Sequence, residues 1–218
     1  LDVLPGEALG LVGDNGAGKS TLINLLSGLY QPDDGEIRLN GQPVKIRNPK
    51  EAMTLGIETI YQYNSMVPIM SIARNLFIGR EPLTFSIGGI GWLDQKTMRE
   101  QSVKAIADVD LHLRSPDALV GELSGGQRQG VAIARAMHFR SKVMILDEPT
   151  NHLSVKETNK VIGFVKGLKA QGVTTVFISH NMHHVFACCD RVVAMALGQV
   201  VLDKRIEATS IEEVQEVL

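Results

Sequence analysis

The sequence has few cysteines, the residues whose disulfide bonds stabilise many chains outside the cell. Its 218 residues include only two cysteines, the neighbours Cys188 and Cys189. Small secreted domains normally carry several spaced cysteines that pair as disulfides. The adjacent pair therefore argues against a disulfide framework and for a reducing, cytoplasmic compartment. We expect both residues to be small apolar side chains on a helix.

Long apolar runs and an excess of charge are also missing. No run approaches the roughly 20 apolar residues that a membrane helix needs, so we expect any membrane association to come through partners. The formal net charge is -2 and there is no long basic run, so nothing indicates a nucleic-acid partner. With 44% hydrophobic residues, the chain can bury one sizeable core.

Glycine is plentiful, and one cluster follows the apolar run Ala8–Val12 with the spacing G-x-x-x-x-G-K-S. In such a loop the backbone N–H groups turn toward a polyphosphate, Lys19 reaches the β and γ phosphates, and Ser20 ligates Mg²⁺. Residues 21–26 predict a helix whose N-terminus favours the same anion. Rather than a plain glycine turn, we predict an ATP-binding cradle made by Gly13, Asp14, Asn15, Gly16, Ala17, Gly18, Lys19, Ser20 and Thr21.

A second glycine-rich stretch precedes a helical pattern at residues 128–139. It consists of Leu123, Ser124, Gly125, Gly126 and Gln127. By itself this would be an ordinary loop and helix cap. Beside a phosphate cradle, its hydroxyl and N–H groups at a helix N-terminus suggest another anion contact.

Two carboxylates, Asp147 and Glu148, follow the apolar residues 143–146. Such a run suits a strand buried on both faces, and parallel strands deliver functional groups at their carboxyl ends. We therefore expect Asp147 to lie beside Ser20 and to hold Mg²⁺, directly or through water. Glu148 is then placed to polarise the attacking water as general base.

Apolar strands alternate with amphipathic helices along the chain, which predicts an α/β fold with a doubly wound parallel sheet. Strands are expected at residues 57–61 and 173–179, helices at residues 95–107 and 156–170, and a late hairpin at residues 192–202. A terminal helix capped by Thr209 or Ser210 should follow. Between about residues 71 and 122, helix formers dominate.

These motifs together resemble the ATP-binding cassette ATPases, whose signature is LSGGQ. The resemblance covers essentially the whole chain and implies a P-loop NTPase (RecA-like) core, an antiparallel β subdomain and an inserted α-helical subdomain. On this basis residues 1–70 and 123–218 form the core with the β subdomain, and residues 71–122 the helical subdomain. It also implies that Gln62 contacts Mg²⁺ or the water and that His180 steadies the γ-phosphate.

The resemblance further implies partners. Ser124 and Gly126 close over the ATP of a second cassette, so catalysis needs a dimer, and transmembrane permease subunits supply the membrane. The segments around Gln62, residues 75–82 and residues 178–186 are similar to bacterial monosaccharide-importer cassettes of the ribose, xylose and fructose kind. This implies a place at the cytoplasmic face of the membrane and an indirect partnership with an external sugar-binding protein.

Residues 148–153 also resemble the ribosome-associated cassette ATPases, which carry two cassettes joined by a charged linker, whereas this sequence has one cassette and no such linker. The chromosome-maintenance ATPases are a third class, and the long coiled-coil insertion that they need is absent from the sequence. His180, His183 and His184 could share a helix face as zinc ligands, but the sequence offers no convincing fourth ligand. Exposed or capping histidines are the other interpretation.

Several positions depart from the family pattern. Tyr63 stands where many sugar cassettes have an acidic residue, and Ser154 where most cassettes have an Asp. Residues 1–7 resemble the family's second strand and turn, so an upstream segment with an adenine-stacking aromatic residue is expected to be missing. Residues 66–70 are expected to contact the permease. Residues 85–92 are expected to be a glycine-rich apolar loop, which either makes a second such contact or is a mobile loop that packs Trp92 inward.

Overall fold

The computed structural model describes the chain apart from residues 62–65, 88, 89, 110, 114, 140 and 152. The chain divides into two compact units. The first comprises Leu1–Gln62 and Ser141–Leu218, and the second is Tyr63–Arg140. The finer subdomain boundaries expected at residues 70 and 122 stay predictions.

The described residues form both strands and helices, mixed along the chain. The strands are β1 (Ala8–Val12), β2 (Ile37–Leu39), β3 (Gln42–Val44), β4 (Ile57–Ile60), β5 (Leu83–Ile87), β6 (Ile90–Leu93), β7 (Val143–Asp147), β8 (Thr174–Ile178), β9 (Arg191–Ala196) and β10 (Gln199–Arg205). The α-helices are α1 (Lys19–Leu26), α2 (Pro49–Leu55), α3 (Ile72–Phe77), α4 (Gln95–Ala107), α5 (Gly125–His138), α6 (Val155–Ala170), α7 (Met182–Cys188) and α8 (Ile211–Glu216).

The first unit is built on a six-stranded sheet with the order β10-β9-β1-β8-β7-β4. Neighbouring strands are parallel except β9 and β10, which form the late hairpin expected from the sequence. The predicted α/β fold with a mostly parallel sheet is therefore confirmed. Strands β2 and β3 form a separate antiparallel pair.

The core of the first unit lies around the central strands. Every residue of β1 and β8 is buried. Helix α6 packs on both strands and α7 packs on β1, while parallel strands flank each of them in the sheet. Leu9, Leu11, Ile145, Val176 and Ile178 belong to this core. Since the middle of the sheet is packed this tightly, its strand ends provide firm positions for functional side chains.

Of the strand and turn expected in residues 1–7, the turn is formed and the strand is not. Residues 1–4 have no regular structure, and Pro5 and Gly6 form a turn that the backbone hydrogen bond from Glu7 N to Leu4 O closes at 3.1 Å. Gly6 has a φ of 72°, a left-handed conformation that glycine adopts without strain and that is incompatible with an extended strand at this position.

The second unit contains α3, α4 and α5 together with the antiparallel hairpin β5–β6. The prediction of a loop at residues 85–92 is therefore wrong for the residues that the structure describes, and Trp92 is 77% exposed rather than packed inward. Phe85 pairs with Trp92 across the hairpin, and the Thr84 hydroxyl donates to the Trp92 carbonyl at 3.2 Å. A Cβ on Gly91 would lie 2.4 Å from the Phe85 carbonyl oxygen, so this glycine permits the two backbones to approach.

Candidate functional site

The glycine-rich loop joins the end of β1 to the start of α1. The φ values of Gly13, Gly16 and Gly18 are 153°, 85° and 99°, conformations that residues with a side chain rarely adopt. A Cβ on Gly13 would also lie 2.4 Å from the Met195 carbonyl oxygen in β9, and Gly198 N donates to Ala17 O at 2.9 Å. The β9–β10 hairpin therefore supports the loop from behind.

Helix α1 begins with an open N-terminus. Gly18 is its N-cap, in a left-handed conformation, and no side chain caps the first turn. The first N–H groups of the helix therefore remain available, together with the positive end of the helix dipole. This is the arrangement that binds phosphate in proteins of many folds.

Lys19 is held at the centre of the loop. Its ammonium donates to the carbonyl oxygens of Gly13, at 2.5 Å, and Asp14, at 2.9 Å. Both acceptors are neutral, and a phosphate oxygen would give the ammonium an oppositely charged partner and a stronger hydrogen bond. The two carbonyls therefore hold the Lys19 ammonium against the loop.

A cavity of about 630 Å³ opens above this loop, within the size range of small-molecule sites. All nine predicted cradle residues line it. Other lining side chains come from the ends of β7 and β8: Asp147, Glu148, Asn151 and His180. The structure therefore brings together the cradle and both carboxylates of the sequence prediction. Gln62 lies outside the described residues.

Asp147 ends β7 with a perturbed carboxyl group. Burial raises its pKa, and the neighbouring charge of Glu148 adds to the rise, while the Lys19 ammonium lowers it. A partly buried carboxylate beside a second carboxylate is stabilised by a cation. The oxygen donors of Asp147 and Ser20, which line the same cavity, are of the type that Mg²⁺ prefers.

Glu148 leaves the strand in a left-handed conformation with φ of 48°, and its N–H donates to Ile178 O at 3.0 Å. Its carboxylate contacts His180 twice. One oxygen accepts from the His180 backbone N–H at 3.0 Å, and the other lies 3.0 Å from the ring Nδ1. The carboxylate is largely buried, with 12% of the side chain exposed, whereas the His180 side chain is 67% exposed.

The signature stretch lies in the second unit, at the start of α5. Ser124 caps this helix by accepting from Gln127 N at 3.2 Å, and the Gln127 side chain accepts from Ser124 N at 2.9 Å, which completes a capping box. Ser124 and Gly125 are exposed. The Ser124 hydroxyl and the N-terminus of α5 therefore lie at the surface, where the hydroxyl can donate to a ligand.

The sequence prediction missed three features of the site. Asn151 lines the cavity, and Met195 in β9 fits against Gly13. Ser154 caps α6 together with Glu157 in a capping box. Only the last had a readable signal, because the serine and the glutamate follow the S-x-x-E pattern.

Comparisons with known proteins identify the class. The family model described as ABC transporter matches residues 1–151. The chain belongs to this family, and it is an ATP-binding cassette ATPase. None of the helices in the described part of the chain has the length and apolar character needed to cross a membrane.

The curated proteins to which the chain is similar include sugar import proteins. The chain is 46% identical over 202 residues to the fructose import ATP-binding protein FrcA of Rhizobium meliloti, covering 91% of this chain and 78% of that protein. It is 39% identical to the xylose/arabinose import ATP-binding protein XylG of Sulfolobus acidocaldarius, covering 100% and 85%. It is 41% identical to the ribose import ATP-binding protein RbsA of Geobacillus kaustophilus, of which it spans 43%.

Solved structures show the same fold. An ATP-binding cassette of an ABC transporter superposes with a TM-score of 0.83 at 29% identity, covering 100% of this chain and 89% of that one. A dimeric cassette in a post-hydrolysis state bound to ADP and Pi superposes with a TM-score of 0.76 at 25% identity, covering 94% and 88%.

Proposed function

We propose that ATP hydrolysis by this chain drives the import of a simple sugar through a membrane permease. The observation that carries the proposal is the convergence of the glycine cradle, Asp147 and Glu148 on one cavity. The import role is supported by relatives named for fructose, ribose and xylose/arabinose import. Because those names point to sugar import, a ribosome-associated ATPase is not favoured.

In the proposed mechanism each cavity residue has one task. Lys19 and the N–H groups of the cradle bind the β and γ phosphates. Ser20 and Asp147, with Gln62, hold Mg²⁺, which when bound neutralises charge on the phosphates. Glu148 accepts a proton from the attacking water, and His180 donates to the γ-phosphate. The shared hydrogen bonds of Glu148 and His180 keep base and donor together.

Assembly follows from the signature stretch. We assign Ser124 and Gly126 to the ATP of a second copy of the chain, so that ATP binding closes a dimer and hydrolysis reopens it. This placement is supported by the exposure of Ser124 at the start of α5 and by the dimeric form of a similar cassette. A monomer would bind ATP but hydrolyse it poorly, since phosphoryl transfer depends on surrounding the transition state with charge.

The permease contact is assigned to the segment at residues 66–70. Asn75, which is 1% exposed, holds this segment: its side chain accepts from Val67 N at 2.7 Å and donates to the carbonyls of Val67, Met70 and Ser71. Ile69 is nevertheless 84% exposed. A rigidly held segment that presents an exposed apolar side chain is suited to a protein interface.

This assignment places the chain at the cytoplasmic face of the membrane, bound to permease subunits. The external sugar-binding protein is then reached only through the permease. No role is proposed for a nucleic acid, because the net charge of -2 provides no basic footprint.

The test is Mg²⁺-dependent ATP hydrolysis by the parent chain and by Glu148→Gln, each with and without a candidate sugar permease. We expect stimulation by the permease and a loss of turnover in Glu148→Gln of about a hundredfold or more, with ATP binding retained. Glu216→Gln, at an exposed position in α8, is the matched control. Activity indifferent to both the permease and the Glu148 change would contradict the proposal.

A further inference from the structure

His184 lies in α7, one turn beyond the His180 that contacts Glu148, and both of its ring nitrogens have partners. Nδ1 lies 3.0 Å from the Thr150 hydroxyl, and Nε2 lies 3.3 Å from the side-chain nitrogen of Asn181. Thr150 is 6% exposed, and the His184 ring is partly buried. The contacts therefore join two segments: the turn after β7 and the start of α7.

The hydrogen bonds determine which ring nitrogen carries the proton. Asn181 caps α7, and its side-chain oxygen accepts from His183 N at 3.1 Å, which leaves its NH₂ group toward His184. An NH₂ group only donates, so Nε2 of His184 must accept and carries no proton. The ring proton of the neutral imidazole is then on Nδ1, where it donates to Thr150.

The two segments are also joined through Glu148. Residues 148–151 form a turn that Asn151 N closes by donating to Glu148 O at 3.2 Å, with Pro149 and Thr150 at its centre. The Glu148 carboxylate binds the backbone N–H and ring of His180, next to Asn181. The turn after β7 and the start of α7 are thus connected at two points, by Glu148–His180 and by Thr150–His184. Glu148 and His180 line the cavity, whereas Thr150 and His184 do not.

We propose that His184 is a positioning residue for ATP hydrolysis, whose neutral ring ties the turn after β7 to α7 and holds Glu148 and His180 in register. The proposal rests on the proposed role of Glu148 as general base. His184 itself does not line the cavity, so it acts through Thr150 and Asn181. Its loss should affect the rate of hydrolysis rather than nucleotide binding.

The electrostatic surroundings agree with a neutral ring. Burial lowers the pKa of His184, His183 and His180 lower it further, and only Glu148 opposes this. A protonated ring would bring an Nε2–H against the NH₂ group of Asn181, two donors with no acceptor between them. The contact network therefore favours the neutral form on geometric grounds as well.

Four variants test the link by steady-state hydrolysis. His184→Ala removes both contacts, and Thr150→Val removes the hydroxyl while keeping the shape. His184→Asn keeps a donor at the position of Nδ1. We expect a fall in kcat of about tenfold in the first two, with KM within about twofold, because misplacement of a base lowers the rate without weakening binding. The double variant Thr150→Val/His184→Ala should be no slower than either single one, and His184→Asn should recover most of the rate.

His183→Ala is the matched control, because His183 is the exposed neighbour in the same helix. It should keep the parent kcat. A kcat within twofold of the parent in His184→Ala, or losses that multiply in the double variant, would overturn the proposal. Thermal unfolding of each variant shows whether it is folded.

A second readout uses the parent chain and needs no activity. Nitrogen-15 NMR of the histidine rings, with the His184 signals assigned by their absence in His184→Asn, should show the proton on Nδ1 at neutral pH. A proton on Nε2, or on both nitrogens, would overturn the proposal. If Glu148→Gln hydrolysed ATP normally, the base assignment would fail, while the ring tautomer would still report whether His184 makes the link.

Discussion

Among the described residues that line the candidate nucleotide cavity, Lys19 is the one lysine or arginine. Its ammonium is already held by the carbonyls of Gly13 and Asp14. We expect Lys19→Met to weaken ATP binding by about ten- to a hundredfold, because hydrogen bonds to charged groups contribute roughly 1.5–3 kcal/mol. Calorimetric titration measures the affinity.

The control for this change is Lys45→Met, at an exposed position outside the cavity. It removes the same charge and should leave the affinity unchanged. Equal affinities in the parent and in Lys19→Met would show that the loop backbone alone supplies the binding energy.

Arg191, at the start of β9, forms an ion-pair network with Glu7 and Asp203. It donates to both oxygens of Glu7, at 2.8 and 3.1 Å, and to both oxygens of Asp203, at 2.7 and 2.8 Å. The Arg191 and Glu7 side chains are only 15% and 9% exposed. Because removing one partner leaves a buried charge unpaired, we expect Arg191→Met to lower the free energy of unfolding by about 3 kcal/mol.

The same network gives a pH dependence. Burial raises the pKa of Glu7, but the hydrogen bonds from Arg191 and from the Leu4 backbone outweigh it, so the pKa is lowered overall. A carboxyl group with a lowered pKa stabilises the fold above its unfolded pKa, which is about 4.3 for Glu, and this contribution disappears as the pH falls through the folded value.

Urea unfolding across this range should therefore show the parent and Arg191→Met differing most near neutral pH and converging in acid. Arg38→Met is the control, because its partner Glu36 is exposed and such surface pairs contribute at most about 1 kcal/mol. A gap that is constant with pH would mean that Arg191 acts through packing alone.

At the scale of elements, Ser154 shows what a departure from the family pattern does locally. Its hydroxyl accepts from Glu157 N at 3.4 Å, and Glu157 accepts in return from Ser154 N at 3.0 Å, so α6 begins with a capping box. We expect Ser154→Ala to lower the free energy of unfolding by about 1 kcal/mol, while Ser154→Asp keeps the cap. Urea unfolding measures both.

Val155→Ala is the neighbouring control, because Val155 is 80% exposed and makes no cap. Its effect should stay within about 0.5 kcal/mol. The serine hydroxyl also donates to the Glu157 carboxylate at 2.8 Å, which an aspartate cannot do. If Ser154→Asp proved as destabilising as Ser154→Ala, this hydrogen bond rather than the cap to Glu157 N would be what stabilises the start of α6.

The elements that could be predicted from the sequence are those whose signal is local. The apolar run before Asp147 and the glycine spacing before Lys19 predicted β7 and the loop before α1 within a residue or two. The Leu197-Gly198 pair predicted the late hairpin, and both residues have positive φ, 49° and 80°, as its tight turn requires.

Other features depend on contacts between distant segments. The Met195 carbonyl lies against Gly13 because β9 pairs with β1. The sequence of neither segment indicates that these two strands are neighbours in the sheet. The hairpin β5–β6 was missed because its strands are only five and four residues long, and their pairing with each other decides the structure. The Thr150–His184 contact likewise joins residues 34 positions apart.

At the scale of the whole molecule, the two parts of the proposed ATP site lie in different units. The cradle and the carboxylates belong to the first unit, and the signature residues belong to the second. If the signature of one copy completes the cradle of another, two copies with different defects can share one intact site. This makes dimerisation testable through activity alone.

The test mixes Lys19→Met, which damages the cradle, with Ser124→Asp. Aspartate also caps helices well, so α5 should stay intact while a negative charge faces the phosphates. Each variant alone should hydrolyse ATP poorly. Their mixture should regain part of the parent rate, because a mixed dimer contains one undamaged cradle facing one undamaged signature.

A second mixture controls for simple stabilisation by added protein. Lys19→Met with Glu148→Gln places both defects in the cradle, so each site of a mixed dimer keeps one defect and no activity should return. Recovery in both mixtures would mean that the regained activity does not come from a site shared between copies. Recovery only in the first mixture, rising with protein concentration, is expected if opposing signatures complete the ATP sites, because only association of two copies forms an active site.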